Sequence, residues 1–312
     1  MNKHEGIPEV TIALISFKDS KYIINCLKSL YRYTKAVSFE VRIIANLSSE
    51  HHLNSIRELF PDIKPIVINE ALSHSANNNM VLRNASGRYY LVLNDDTYLI
   101  SDIISEMVNF LDKHQDIGCV SPKIVYPNGA NQCGPMTDMS FKEWCLIQFG
   151  VAGLRHRMAT ETISTIRETK GCSGACVIVR KEIWEMIGGF DESMPVAPND
   201  IDLARRIHKT GFKVYYYGAS SIVHIGSQTM HRDYRSSMAI LVPSMNAFAK
   251  RYYNSTERWL YKVVFFIGSL WRAALFGLYA SIRYFFYGDS ENALLKSKGY
   301  LLQCRLVLVT KL

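Results

Sequence analysis

Four short apolar runs separated by stretches of helical spacing constrain this chain more than any other feature. Val10-Thr-Ile-Ala-Leu-Ile-Ser-Phe17, Phe39-Glu-Val-Arg-Ile-Ile44, Pro65-Ile-Val-Ile68 and Tyr89 to Leu93 have the length and β-branched content of buried strands. Between them, residues 20–34 place Ile23, Ile24, Leu27, Leu30 and Tyr31 on one face of a helix. Leu53 to Phe60 and Ser75 to Asn84 read as two more helices, and Ile103 to Leu111 as a fourth. This alternation predicts an α/β fold built on a mainly parallel sheet. Open sheets of that kind bind ligands beyond the carboxyl ends of their strands. The fourth run ends there in Asn94, Asp95 and Asp96.

Carboxylate oxygens suit Mg²⁺ or Mn²⁺, ions that share their shell with substrate phosphates. The pattern therefore suggests a metal-held diphosphate, against the alternative of a solvated turn or a helix cap. A net charge of +8 favours anionic partners. The basic residues are spread out or gathered near one apolar helix, so nucleic acid is not an expected partner. Seven cysteines without a Cys-x-x-Cys pair argue against disulfides and thiolate zinc, and fit a reducing cytosol. Met1 to Pro8 hold no apolar core of a signal peptide, which agrees with a cytoplasmic location.

Beyond residue 117 the rhythm loosens. Cys119 to Tyr126 reads as a strand, while residues 127–170 show no clear period and are expected to form a functional loop or flap. Gly174 to Arg180 is a strand and Lys181 to Ile187 a helix. Asn199-Asp-Ile-Asp202 then leads into a helix starting near Leu203 and stopped by Gly211, followed by a last strand over Phe212 to Tyr217 and by Val223-His-Ile-Gly226.

Residues 258–287 differ in kind. From Val263 to Tyr287 only Arg272 and Arg283 are charged, enough apolar chain to cross a bilayer core. Arg258, Lys262, Arg272 and Arg283 fall on one side of the helix, a basic stripe suited to anionic headgroups. An interfacial helix, a packed core or dimer helix and a membrane span are the three readings.

In order and spacing, Thr11 to Phe17, His74-Ser-Ala-Asn-Asn-Asn79, Leu93-Asn-Asp-Asp-Thr97, Gly174 to Arg180, Gly188-Gly-Phe-Asp-Glu192, Asn199-Asp-Ile-Asp-Leu203 and His224 resemble the family 2 glycosyltransferases of the GT-A fold, in particular rhamnosyltransferase-like enzymes of bacterial surface-polysaccharide assembly. The resemblance covers about residues 9–230. It implies a Rossmann-like mixed α/β sheet flanked by helices, with a catalytic domain over 1–230 and a helical, membrane-associating or dimerising appendage over 231–312. It further implies a nucleotide sugar bordered by Ser16, Phe17, Asn46, Asn77, Asn78, Asn94 and Asp95, and an Mg²⁺ or Mn²⁺ ion held by Asp96 and His224. Asp200 matches the general base, with Gly174 and Asp202 on the acceptor side. Helix capping is the competing role for Asp200, Asp202, Asn77 and Asn78, and a structural role for His224.

Three departures bear on specificity. Ala45 stands where the family usually has the aspartate that reads the base, Lys18 where asparagine is common, and Asn94 where the first metal-site carboxylate is expected. The Gln-x-x-Arg-Trp motif of processive relatives is absent, since Ser255 occupies the glutamine position ahead of Arg258-Trp259. The expectation is an inverting, non-processive transfer of one sugar, foremost L-rhamnose from dTDP-rhamnose, to a polyprenyl-diphosphate-linked saccharide at the inner face of a bacterial plasma membrane. A UDP-hexose or UDP-N-acetylhexosamine donor and a non-catalytic subunit of the same fold are the alternatives.

Overall fold

The computed structural model describes residues 6–151, 164–226, 234–287 and 290–310, and elements are numbered along these. The chain groups into two compact units: Met1–Asp138 with Thr160–Glu192 and Asn199–Gly226, and Met139–Ala159 with Ser193–Pro198 and Ser227–Leu312.

The first unit is a mixed sheet. Its strands are β1 (Val10–Phe17), β2 (Phe39–Asn46), β3 (Ile66–Ile68), β4 (Tyr89–Asn94), β5 (Thr97–Leu99), β6 (Ile117–Val125), β7 (Asn131–Cys133), β8 (Ile166–Glu168), β9 (Cys176–Arg180) and β10 (Lys213–His224). Their order is β3-β2-β1-β4-β9-β6-β10-β5, with β7 beside β6 and β8 beside β10. The first four are parallel; β9 runs antiparallel between β4 and β6.

Period two in the strands decides which helices cover which face. Ile12, Leu14, Leu91 and Leu93 meet α1 (Ile23–Tyr33) and α4 (Ile103–Lys113) through Ile23, Leu27, Ile104 and Met107. Their sequence neighbours Ala13, Tyr90 and Val92 point the other way, against α3 (His74–Leu82), α6 (Lys181–Ile187) and α7 (Asn199–Lys209), which bring Val81, Ile183, Leu203 and Ile207. Each large side chain taken fully from water contributes about 1.5–3 kcal/mol. The sheet is thus held from both sides, and the carboxyl ends of β1, β2 and β4 are left to the loops that follow them.

α2 is Glu50–Leu59. Residues 127–170, expected to lack regular structure, hold β7, β8 and α5 (Phe141–Gln148) within their described part. A capping box marks the start of α5: Ser140 accepts from the Glu143 amide, and the Glu143 carboxylate accepts from the Ser140 amide. That helix is short and its burial depends on partners remote in sequence, so no periodic signal announces it.

The second unit joins α5 to α8 (Tyr234–Tyr252), α9 (Ser255–Tyr287) and α10 (Glu291–Val309). Trp144 of α5 is fully buried, its ring 4.6 Å from Tyr261 and 5.5 Å from Phe265 of α9. α9 and α10 run antiparallel: Ser297 Oγ donates to Ala273 O at 2.9 Å, Ser269 Oγ to Gln303 Oε1 at 3.3 Å, and Lys262 Nζ to Thr310 O at 2.9 Å.

Three of the four cations of the basic stripe have partners within this packing. Arg258 Nε donates to Tyr253 O at 2.8 Å, Lys262 is bonded as above, and Arg272 donates to the Ile147 carbonyl. These cations serve the protein's own carbonyls on the side where Tyr261, Phe265, Ser269 and Ala273 are buried. The apolar side of α9 faces outward instead.

Candidate active site

Parallel pairing sets the donor side. The register matches Phe17 with Asn46 and Ile15 with Asn94, so the three chain ends stop at one level. Just beyond them, Lys18, Asp19 and Leu47 take left-handed backbone conformations (φ of 46°, 40° and 55°), which non-glycine residues adopt at a cost of order 1 kcal/mol and mainly at functional loops.

Ser16 is fully buried and its Oγ lies 3.0 Å from His52 Nε2. Phe17 is partly exposed, with the Lys18 ammonium 5.3 Å from its ring. Asn46 Nδ2 donates to Glu70 O at 2.9 Å and to Asn77 Oδ1 at 3.4 Å. Asn77 Nδ2 donates to Leu72 O at 3.2 Å, and Asn78 Nδ2 to His74 O at 2.9 Å. Neither asparagine caps α3: Ser73 does, accepting from the Ala76 amide at 3.1 Å. The buried Oδ1 atoms of Asn46 and Asn78 have no hydrogen-bond partner among the described residues. Buried acceptors left open in this way are costly unless a ligand or water supplies the donor.

The acidic cluster meets its histidine through β5. After Asn94 the chain turns, with Thr97 Oγ1 donating to Asn94 O at 2.7 Å, and β5 pairs antiparallel with β10 so that Thr97 faces His224. His224 Nε2 then lies 3.0 Å from Asp96 Oδ1 and 3.5 Å from Asn94 Nδ2. Its Nδ1 lies 2.6 Å from Gln132 Oε1, an acceptor, so the hydrogen belongs on Nδ1. Nε2 of a neutral ring then presents a lone pair to a carboxylate. Two acceptors at that distance need a proton or a cation between them. Two neighbouring ligands of an octahedral ion at about 2.1 Å would stand about 3.0 Å apart, so the pair fits a divalent ion. Among the described residues no cluster of three or more His, Cys, Asp or Glu is disposed to hold a metal. Gly226 takes φ of 79°, in the left-handed region, and a Cβ there would meet the Gln132 side-chain amide. Asp95 is partly exposed beside this pair in sequence.

The second carboxylate lies on α7. That helix begins at Asn199, not near Leu203, so Asp200 and Asp202 are first-turn residues inside it. Asp200 Oδ2 accepts from the Gly174 amide at 3.1 Å and Oδ1 from the Ile201 amide at 2.9 Å. Burial raises its pKa above the ordinary carboxylate value, and those amides partly offset the rise. Asp202 has a different environment. It is fully buried and accepts from Arg206 Nε at 2.7 Å, while Arg206 also donates to Ile187 O at 2.8 Å. That carboxylate is held in a buried ion pair with Arg206, an environment unlike that of Asp200.

His74 ties the two halves together, a role the sequence motif alone did not reveal. Its Nε2 lies 3.2 Å from Asn78 Nδ2 and its Nδ1 3.2 Å from Asn199 Nδ2, amide groups that can only donate, and it also hydrogen-bonds Asn94. Its Cε1 would be 3.9 Å from a Cβ on Gly174. Burial pushes its imidazole down to about 4, so it is neutral at pH 7. Gln132, the other missed residue, falls in the stretch without periodicity.

A family model described as "Glycosyltransferase like family 2" matches residues 8–249. The O-antigen biosynthesis protein RfbC of Myxococcus xanthus is 28% identical over 268 residues, 80% of this chain and 20% of that protein. The N-acetylglucosaminyl-diphospho-decaprenol L-rhamnosyltransferase of Mycobacterium tuberculosis is 33% identical over 67 residues, 22% of each. The chain thus spans about a fifth of the length of these curated relatives. The mannosyltransferase PcManGT of Pyrobaculum calidifontis, solved in complex with GDP-Man and Mn²⁺, aligns with a TM-score of 0.58 at 16% identity, covering 99% of this chain and 89% of that one.

Proposed function

We propose that this chain, which belongs to glycosyltransferase family 2, moves a single sugar with inversion from a nucleoside-diphosphate donor to a hydroxyl of a lipid-linked saccharide. It is a transferase with a GT-A-like fold; the donor, the acceptor and the stereochemistry are the reading. The observation that carries it is the meeting of two carboxylate sites through His74: the Asp96–His224 pair beside Asn94, and Asp200 beside Gly174.

Asp200 takes the proton of the acceptor hydroxyl as its oxygen bonds to the anomeric carbon. The bond from that carbon to the donor diphosphate breaks on the opposite face, and its electron pair leaves with the diphosphate. A raised carboxylate pKa improves the match of such a base to neutral pH, and a positioned base is typically worth ~10² to 10⁴ in rate. The Gly174 and Ile201 amides hold that carboxylate in one orientation. Asp96 and His224 would hold Mg²⁺ or Mn²⁺, and what such an ion supplies when bound is neutralisation of charge gathering on the leaving diphosphate. The open Oδ1 of Asn46, at the end of β2, supports this side chain as the acceptor for the imide N–H common to thymine and uracil, in place of the carboxylate missing at Ala45.

The name of the Mycobacterium tuberculosis relative supports L-rhamnose as the sugar and a diphosphate lipid carrier as the acceptor; dTDP-rhamnose as the donor and the inner face of a plasma membrane as the place are part of the same proposal. Melting temperature measured against dTDP, UDP and GDP, each with and without Mn²⁺, tests this reading. A shift with dTDP that requires Mn²⁺ is the expected result. A preference for UDP would replace the deoxysugar with a hexose or N-acetylhexosamine. The absence of any shift would favour a non-catalytic subunit.

A further inference from the structure

α9 and α10 pack on each other and leave an outward surface that nothing in the second unit covers among the described residues. On α9, Trp259 is 67% exposed, Ile267 49%, Trp271 50% and Leu278 61%, at spacings that follow one side of the helix. On α10, Leu294, Lys298, Leu301, Arg305 and Leu308 recur every three or four residues and all are exposed. Leucines and cations therefore alternate along one stripe. Acidic residues are absent from positions 258–287 and 292–309.

We propose that this outward face of the α9–α10 hairpin is a lipid-binding surface lying in the headgroup region of an anionic bilayer. The α9 stripe sits among the acyl chains, and Lys298 and Arg305 reach lipid phosphates. This deepens the proposed function, whose acceptor is lipid-linked, but rests on the second unit alone.

Charge selects the occupant. A second copy of the same face would bring its cations against these with no acid to receive them, whereas anionic headgroups complement them. Long basic side chains can lay their stems along apolar surface and keep the charge at the phosphates. A span is disfavoured by the same residues. α9 is long and apolar enough to cross a bilayer by composition. Its 33 residues, at about 1.5 Å each, make roughly 50 Å against a hydrocarbon core of ~30 Å. Because α10 is bonded antiparallel along it, from Ala273–Ser297 to Lys262–Thr310, crossing would draw exposed Lys298 and Arg305 into hydrocarbon. The contact is thus made by α10's cations and α9's apolar side. Arg258, Lys262 and Arg272 of α9 are bonded to the protein's own carbonyls.

The tryptophans report on this directly. Trp144 and Trp184 are buried, while Trp259 and Trp271 are exposed on α9. The full chain, mixed with vesicles of phosphatidylcholine and phosphatidylglycerol, should float with them, and lipids brominated along the acyl chain should quench its fluorescence. Lys298→Gln and Arg305→Gln should each weaken partitioning about fivefold, the equivalent of about 1 kcal/mol, with Arg258→Gln unchanged. Transfer to a short-chain, water-soluble acceptor should survive both α10 variants, so a failure here is separable from a failure of the enzymatic reading. Binding unaffected by the α10 variants but lost with Arg258→Gln would overturn the proposal. So would an absence of vesicle binding, or sedimentation showing a dimer that Trp271→Glu dissociates.

Discussion

His224 Nε2 and Asp96 Oδ1 lie 3.0 Å apart, 128 positions from each other in the chain, because β10 and β5 pair at Thr97. With Gln132 accepting at Nδ1, that contact needs a cation or a proton. A nucleoside diphosphate at a hundredfold over its Kd stabilises by about 2.7 kcal/mol. Asp96→Ala and His224→Ala should both reduce the Mn²⁺-dependent part of that gain, read as melting temperature with nucleotide against free Mn²⁺. Retention of the full metal-dependent shift in both variants would remove the pair from any metal site.

Asp200→Asn should lower kcat by ~10² to 10⁴ while the protein stays folded. Its raised pKa sets the sign of the stability effect: the folded state favours the protonated form, so ionisation of Asp200 costs stability as pH rises through its folded value. Removing that charge therefore does not destabilise the fold through lost electrostatics at neutral pH. In the wild type, kcat should fall on the acid side with a midpoint above the ordinary carboxylate range. A rate profile flat to pH 4 would argue against Asp200 as the base.

Asp202→Ala should behave in the opposite way. Asp202 is fully buried and Arg206 nearly so, and breaking such a pair from one side leaves an uncompensated charge at a cost of about 3–5 kcal/mol. Denaturant unfolding should show that loss. Two aspartates in one helical turn are thereby separated by experiment, one by rate and the other by stability.

His74 gives a second pH signature. Its folded pKa of about 4 lies below the ordinary 6.5, so the stability it carries is complete above about pH 6.5 and is lost as pH falls toward 4. The shift corresponds to up to about 3 kcal/mol. His74→Gln should flatten stability over that window, measured by urea midpoints between pH 7 and 4.5. An unchanged slope would place the acid sensitivity elsewhere.

Much of this molecule is legible from local pattern. Ile12 and Ala13, or Leu91 and Val92, alternate because a strand shows its side chains to opposite faces, and helices on both faces of a sheet demand apolar residues at both. Asn94, Asp95 and Asp96 were visible as candidates because they follow an apolar strand directly, with a turn or helix cap as the competing use, and Asp200 was visible through the family resemblance. What each carboxylate does was not visible. Asp200 and Asp202 share a helical turn, yet only the arrival of Arg206 on one and the Gly174 amide on the other divides their roles.

α9 shows the same division on a larger scale. Its length and apolar character follow from composition alone, since a charge-poor stretch of that extent can only be a helix that is buried, interfacial or spanning. Which side faces outward was decided by Trp144, Ile147, Thr310 and Ser297, all outside α9, and two of them take Arg272 and Lys262 of the basic stripe as donors. Sequence determines the periodicity of each element and the chemistry that it carries, because those depend on neighbours within a few residues. Only the tertiary structure decides which groups meet, as with Asp96, His224 and Gln132, because that depends on strand register and packing between segments remote from one another in the chain.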